Sequence, residues 1–336
     1  MKRRDFIRLV ALGSGGTALD WGLYSNVILA KDIYPARKIE WISHTQPGSG
    51  FDIIPRGIGP FLTKHLKELA PGSKGGEIVV KNEPAAAGLK AYSRVLRGEP
   101  NGYIIGGLDI AFITDMVTGK VDKNEIDIKK FTYLSKLNSN SKLLITGKNG
   151  FQSWADAVES SKKSPLKIGT GQFGRANHVS LILIMEALGL NAKVINTQST
   201  AATMSMLMRG DVHVALTSDE SVSNFLESKE VRVLVDCTEK SRFPGALSMT
   251  DLGHPEVVKY AQTHRFIIAP PNLPKEINAL LTEALKKTMR DKEFLIWAKR
   301  AGFDFEPIYG SAAREMAMGY ISFYQGMEQT LKKYLL

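Results

Sequence analysis

The sequence predicts an α/β protein shaped as a two-lobed clamshell, each lobe a mostly parallel sheet flanked by helices. Three observations predict it. The chain has 336 residues, too many for one ordinary core and enough for two modest ones. Short apolar runs of strand character alternate with helical patterns, the sign of βαβ units and parallel sheets. A late apolar run, Phe266–Ala269, then opens a long helical tail, so the chain returns to the first lobe after building the second. Crossings are expected near Leu137–Lys142 and Gln262–Phe266. Lobe 1 therefore takes residues 31–140 and 264–336, lobe 2 takes residues 141–263, and the crossings are hinges of the kind that absorb closure.

In order, Ile39–His44 is the first strand, ending in the loop from Gln46 to Asp52. A helix follows over Phe61–Leu69, Pro60 being expected to break anything longer. Glu77–Lys81 is a second strand, followed by the turn Asn82–Gly88 and a helix through Leu96. The turn Glu99-Pro100-Asn101-Gly102 leads into a third strand over Gly102–Gly107. In the second half, Leu143–Thr146, Lys167–Thr170, Val194–Thr197, Val212–Leu216 and Val231–Val235 are strands. Helices are expected over Ser153–Ser161, over Val179–Leu188 with Gly189 ending it, and over Ala201–Arg209 closed by Gly210. Pro270, Pro271 and Pro274 precede the helical tail.

Composition narrows the function. Hydrophobic residues make up 43% and charged residues 23%, ordinary for a globular chain. The formal charge is +10, but the basic residues are interspersed with acidic ones and form no stripe with aromatics, which argues against a nucleic-acid partner. A surface that concentrates anions fits better. Lys2-Arg3-Arg4-Asp5-Phe6-Ile7-Arg8 and the weakly apolar stretch after it, with Gly13, Gly15 and Gly16, have the form of a twin-arginine export signal spanning residues 1–30. The stretch is too short and interrupted to span a bilayer. Periplasmic localisation is expected. Cys237 is the only cysteine; it excludes an intramolecular disulfide and reads as a small buried hydrophobe.

Six fragments in order resemble the periplasmic receptors of tripartite tricarboxylate transporters, the Bug proteins, over essentially the whole chain after Tyr34-Pro35. They are Pro47-Gly48-Ser49-Gly50-Phe51-Asp52, Asn82-Glu83-Pro84-Ala85-Ala86-Ala87-Gly88, Pro100-Asn101-Gly102-Tyr103, the stretch Gly169–His178, Leu207-Met208-Arg209-Gly210-Asp211-Val212, and Ala269-Pro270-Pro271-Asn272-Leu273-Pro274. The resemblance implies a type II-like periplasmic-binding-protein fold, a small carboxylate held between the two Gly-rich loops, and transporter subunits in the membrane as partners. The chain departs from the family pattern at Ser49, Ala85 and Ala87, each in place of a glycine, and at Thr197-Gln198-Ser199 in place of Tyr-x-Gly.

The residues themselves support an anion site. A strand that ends in a Gly-rich turn before a helix aims unpaired backbone N–H groups at one point, and the helix dipole adds to them. The expected ligand residues are Gly48, Ser49, Gly50, Phe51 and Asp52 from one lobe. From the other they are Thr170, Gly171, Gln172, Phe173, Gly174 and Arg175, joined by Thr197, Ser218 and Asp219 in the polar clusters that follow two strands. Phe51, Phe173 and Arg175 suit an aromatic or dicarboxylic acid. Asp52 reads equally as an N-cap, and His44 and His178 as structural histidines. Met204, Met206 and Met208 read as helix packing, since their sulfurs do not converge on a metal.

No nucleophile elbow, H-E-x-x-H or Walker loop is present. The match of Gly169-Thr170-Gly171-Gln172-Phe173-Gly174 to G-x-G-x-x-G lacks the acidic residue a dinucleotide site needs, because Asn196 and Thr197 stand there. The expectation is a monomeric binding protein with no cofactor or metal and no enzyme activity. The alternatives are a ligand-sensing partner of a membrane sensor kinase and, less favoured, an exported enzyme.

Overall fold

A computed structural model describes residues 33–122 and 125–336, so the expected export signal falls outside the described residues. The chain opens with β1 (Ile39–Ser43), α1 (Gly50–Leu69), β2 (Ile78–Asn82), α2 (Leu89–Leu96), β3 (Ile104–Asp109), α3 (Ile113–Val117) and β4 (Thr132–Asn140). Next come β5 (Lys142–Gly147), α4 (Trp154–Lys163), β6 (Leu166–Thr170), α5 (Ala176–Leu188), β7 (Ala192–Asn196) and α6 (Thr200–Arg209). They are followed by β8 (Val214–Ser218), α7 (Ser223–Glu227), β9 (Val231–Asp236) and β10 (Leu247–Ser248). The chain ends with α8 (Pro255–Ala261), β11 (Thr263–Ala269), α9 (Lys275–Thr288), α10 (Lys292–Arg300), β12 (Ile308–Tyr309), α11 (Gly310–Gly326) and α12 (Glu328–Leu335).

These strands form two six-stranded sheets, ordered β12-β4-β11-β3-β1-β2 and β10-β9-β5-β8-β6-β7. The chain crosses from the first to the second between Asn140 and Lys142, and returns between α8 and β11. β1 runs parallel to β2 and β3, and β6 runs parallel to β7 and β8. The two strands that enter from the opposite lobe, β5 and β11, run antiparallel to both neighbours. This leaves the carboxyl ends of β1, β3, β6 and β8 facing the cleft, where open α/β sheets bind ligands.

Two of the differences from the sequence reading are instructive. α1 begins at Gly50 and runs through both Pro55 and Pro60, where a start after Pro60 was expected. Each proline costs about 3 kcal/mol in a helix interior. Against that, α1 buries Ile54, Ile58, Leu62 and Leu66, each worth about 1.5–3 kcal/mol, so tertiary packing wins. β4, with the sequence Thr-Tyr-Leu-Ser-Lys-Leu-Asn-Ser-Asn, was not foreseen as a strand. Ser135, Lys136, Asn138 and Asn140 are buried in it because it pairs with β11 on one side and β12 on the other.

One face of the first sheet packs Trp41, Leu134 and Ile267 against Phe294 and Leu281. A larger cluster runs through both sheets, taking in Phe266, Leu144, Ile168 and Tyr320. Cys237 is fully buried and free. Away from the cleft, Tyr260 of α8 stacks on Phe323 of α11 with centroids 3.5 Å apart. Among the described residues no helix is long and apolar enough to cross a membrane.

Candidate ligand-binding cleft

The first turn follows β1. Gly48 has φ +84, a left-handed conformation that favours glycine. Its N–H is not free: it donates to Asp52 Oδ2 at 2.9 Å. Asp52 Oδ1 accepts from Arg56 Nε and Asn82 Nδ2, both at 2.9 Å. Burial would raise this carboxyl's pKa, but the bonds from Arg56, Gly48 and Asn82 outweigh it and hold it below the usual range. Asp52 therefore shapes the turn from within. Ser49 is the helix N-cap, and its hydroxyl is bonded to Thr45 Oγ1. Helix geometry leaves the amides of Gly50 and Phe51 without an intrahelical acceptor. The Phe51 ring lies edge-on to His44, 4.4 Å between centroids. His44 donates from Nδ1 to the Gly107 carbonyl at 3.2 Å and is neutral, burial carrying its pKa down to about 3.

The second turn repeats the design. Gly174 has φ +69, and its N–H donates to His178 Nδ1 at 2.9 Å. Burial, then Lys120, pulls His178 down to about 4, so the ring is a neutral acceptor. Gln172 Nε2 donates to the Gln198 carbonyl at 3.1 Å. Phe173 is exposed, with Lys120 of the first lobe 4.8 Å above its ring. Arg175, the α5 N-cap residue, reaches across the cleft to Asp115 at 3.2 Å. This ion pair brings the second turn up to the first lobe.

The remaining expected residues divide. Thr170 and Thr197 are buried and bonded to each other's segment, with Thr197 Oγ1 2.6 Å from Thr203 Oγ1 and 3.1 Å from the Thr170 carbonyl. They support the second turn from behind. Asp219 is held by Arg242 at 2.8 Å and Ser141 at 2.7 Å. Ser218 lies at the floor, within 2.7 Å of Lys142 Nζ. A void of only about 10 Å³ remains behind Gly50 and Phe51. A concavity of about 590 Å³ lined by Gly147, Phe151, Leu207 and His213 lies at the opposite end of the second sheet and contains none of the expected residues.

Residues 64–321 match the model of the TctC family, the tripartite tricarboxylate transporter family receptors. The chain belongs to the TctC family. Protein BugT of Bordetella pertussis is 22% identical over 272 residues, covering 79% of this chain and 80% of that one. A TctC solute-binding protein from Polaromonas superposes with a TM-score of 0.72 at 19% identity, covering 88% of this chain and 99% of that one. MatC from Rhodopseudomonas palustris, solved with bound malate, gives a TM-score of 0.66 at 16% identity, covering 90% and 100%. These likenesses place the two-lobed architecture among solute-binding folds.

In this TctC-family chain the cleft floor carries charged residues that the sequence reading did not single out. Lys142 opens β5 and is fully buried. Its ammonium donates to Asn177 Oδ1 at 2.8 Å and to Ser218 Oγ and Thr263 Oγ1 at 2.7 Å. Arg265 of β11 lies under the first turn, its guanidinium 5.3 Å from the Phe51 ring centroid, and pairs with Glu220 across the lobes at 3.0 Å. Asp109 ends β3; its Oδ1 accepts the Ala111 N–H at 3.0 Å, and burial raises its pKa. A sequence signal did exist, since Lys142 and Arg265 both fall inside the two segments expected to cross between lobes.

Proposed function

We propose that this chain is a periplasmic solute-binding receptor that captures a small carboxylate, aromatic or dicarboxylic, and delivers it to a tripartite tricarboxylate-type transporter. In this reading it is exported by its twin-arginine signal and acts as a monomer. The lobes of residues 31–140 with 264–336 and of residues 141–263 close on the ligand. What supports it is that the N-termini of α1 and α5 each follow a left-handed glycine, that the Arg265 guanidinium lies against Gly50, and that Arg175 bridges from the second turn to Asp115 of the first lobe. Each terminus offers amide donors and the positive end of a dipole. The Ser49 hydroxyl and Arg175 add to them, and the rings of Phe51 and Phe173 give an apolar flank. That MatC, a protein of similar fold, was solved with malate supports the ligand class.

Closure needs differential binding of about 5 kcal/mol to move the lobes from mostly open to mostly closed. Hydrogen bonds to a charged group contribute about 1.5–3 kcal/mol each, so about two to four suffice. Thermal melting against malate, succinate, citrate, benzoate and their neutral amides tests the reading. At least one acid is expected to raise the melting temperature by mass action while its amide does not. Gly50→Val, whose Cβ would stand 2.9 Å from the Arg265 guanidinium, is expected to weaken that acid at least about tenfold by masking the free amides. Equal stabilisation by acids and amides, or full affinity in Gly50→Val, would refute it.

A further inference from the structure

Buried ammonium groups normally meet a carboxylate or lose their proton. Among the described residues Lys142 meets none directly. Its three donors go to three neutral oxygens on three elements: Asn177 in the first turn of α5, Ser218 at the end of β8, and Thr263 on the returning strand β11. Asn177 in turn packs against the second glycine turn, its Cβ 3.5 Å from where a Cβ on Gly171 would be. One cation thus joins both crossing strands and the helix end expected to hold an anion. Carboxylates stand further off, but each is already engaged. Asp219 and Asp236 share Arg242, Glu220 holds Arg265, and Asp109 caps Ala111.

We infer that Lys142 is the charge-selecting residue of the cleft, a positioning residue that fixes the α5 turn through Asn177 and lays positive charge beneath it without touching the ligand. This rests on the carboxylate reading above and names what enforces it. A cation at a helix N-terminus opposes the helix dipole, so the arrangement is favourable only when an anion arrives between them. The hydrogen-bond geometry agrees. Asn177 turns its carbonyl oxygen toward Lys142, and its amide nitrogen lies 3.6 Å from where a Cβ on Gly171 would be.

The consequence is pH-dependent capture. Burial, then Arg265, pulls the Lys142 pKa down to about 8, with Glu220, Asp109 and Asp219 only partly offsetting them. Arg265, Glu220, Asp109, Asp219, Cys237 and His264 are the charged and titratable groups around it. Cys237 is pushed far up by burial, and burial carries His264 down to about 3. An anion in the cleft favours the protonated ammonium, so binding takes up a proton near pH 8. Affinity then falls as pH rises through the free-state value, by up to about tenfold per pH unit.

Titration calorimetry in buffers of different ionisation heat tests this with wild-type protein, using whichever of malate, succinate, citrate and benzoate binds most tightly. Proton uptake is expected at pH 8–8.5 and not at pH 6.5. Lys142→Met is expected to bind the same acid about tenfold more weakly at pH 7, as befits the loss of one nearby charge, and to show no uptake. Binding by wild type with no uptake between pH 7.5 and 9 overturns this inference alone, as does a folded Lys142→Met with unchanged affinity. If no carboxylate binds wild type at any pH, both this inference and the reading beneath it fall.

Discussion

Asp52 and His178 play matching parts. Each accepts the N–H of the left-handed glycine four residues before it, Gly48 in one lobe and Gly174 in the other. The same local solution thus closes both turns, by a carboxylate in one and a neutral imidazole in the other. Asp52→Ala removes a charged acceptor with three donors and is expected to cost about 2–3 kcal/mol in urea unfolding. The effect should be smaller in acid. A carboxyl held below its ordinary range stabilises the fold above the unfolded value, near pH 4, and loses that contribution as pH falls. A cost that does not change between pH 7 and pH 3 would contradict this role. The sequence left Asp52 open between ligand contact and cap, because both uses require the same residue at the same place. It was silent on Lys142 and Arg265 for a different reason. Their partners Thr263 and Asn140 stand 121 and 125 positions away, and a charge in a strand reads as solvent-facing until the pairing is known.

Among the elements, α1 shows how far local rules reach. Its prolines argued for a late start, and the helix forms from Gly50 because its apolar stripe is buried against the sheet and α9. The stripe itself was legible; the depth of its burial was not. Gly57 lies where Trp297 of α10 presses on the helix, and a Cβ there would fall 1.9 Å from the indole. Gly57→Ala is therefore expected to destabilise by about 1–3 kcal/mol through overpacking, although alanine is the better helix former. Equal or higher stability on chemical denaturation would show that α10 yields. β4 escaped notice for the converse reason. Its apolar residues Tyr133, Leu134 and Leu137 follow no two-residue period, and Ser135, Lys136 and Asn138 are all buried, a pattern that only its two β neighbours explain.

Across the whole molecule, the alternation of strands and helices was readable because it rests on contiguous pattern. The sheet orders were not, since they depend on which distant strands pair. Three histidines at scattered positions, His44, His178 and His264, are neutral in the fold, with pKa values near 3, 4 and 3 caused first by burial. The unfolded chain binds protons at these sites near pH 6.5, so each costs up to about 1.4 kcal/mol of stability per pH unit as pH drops below that. The melting temperature is expected to fall from about pH 6.5 downward, before the carboxylates titrate, and more gently in His264→Gln. A flat profile from pH 7 to pH 5 would exclude it. The order β12-β4-β11-β3-β1-β2 has a further consequence for biosynthesis. β3 and β4 are joined only by β11, whose last residue is Ala269, whereas every strand of the second sheet is made before then. A nascent chain therefore completes the second sheet first and carries an unfinished first sheet, with two open edges, until the ribosome has passed that residue.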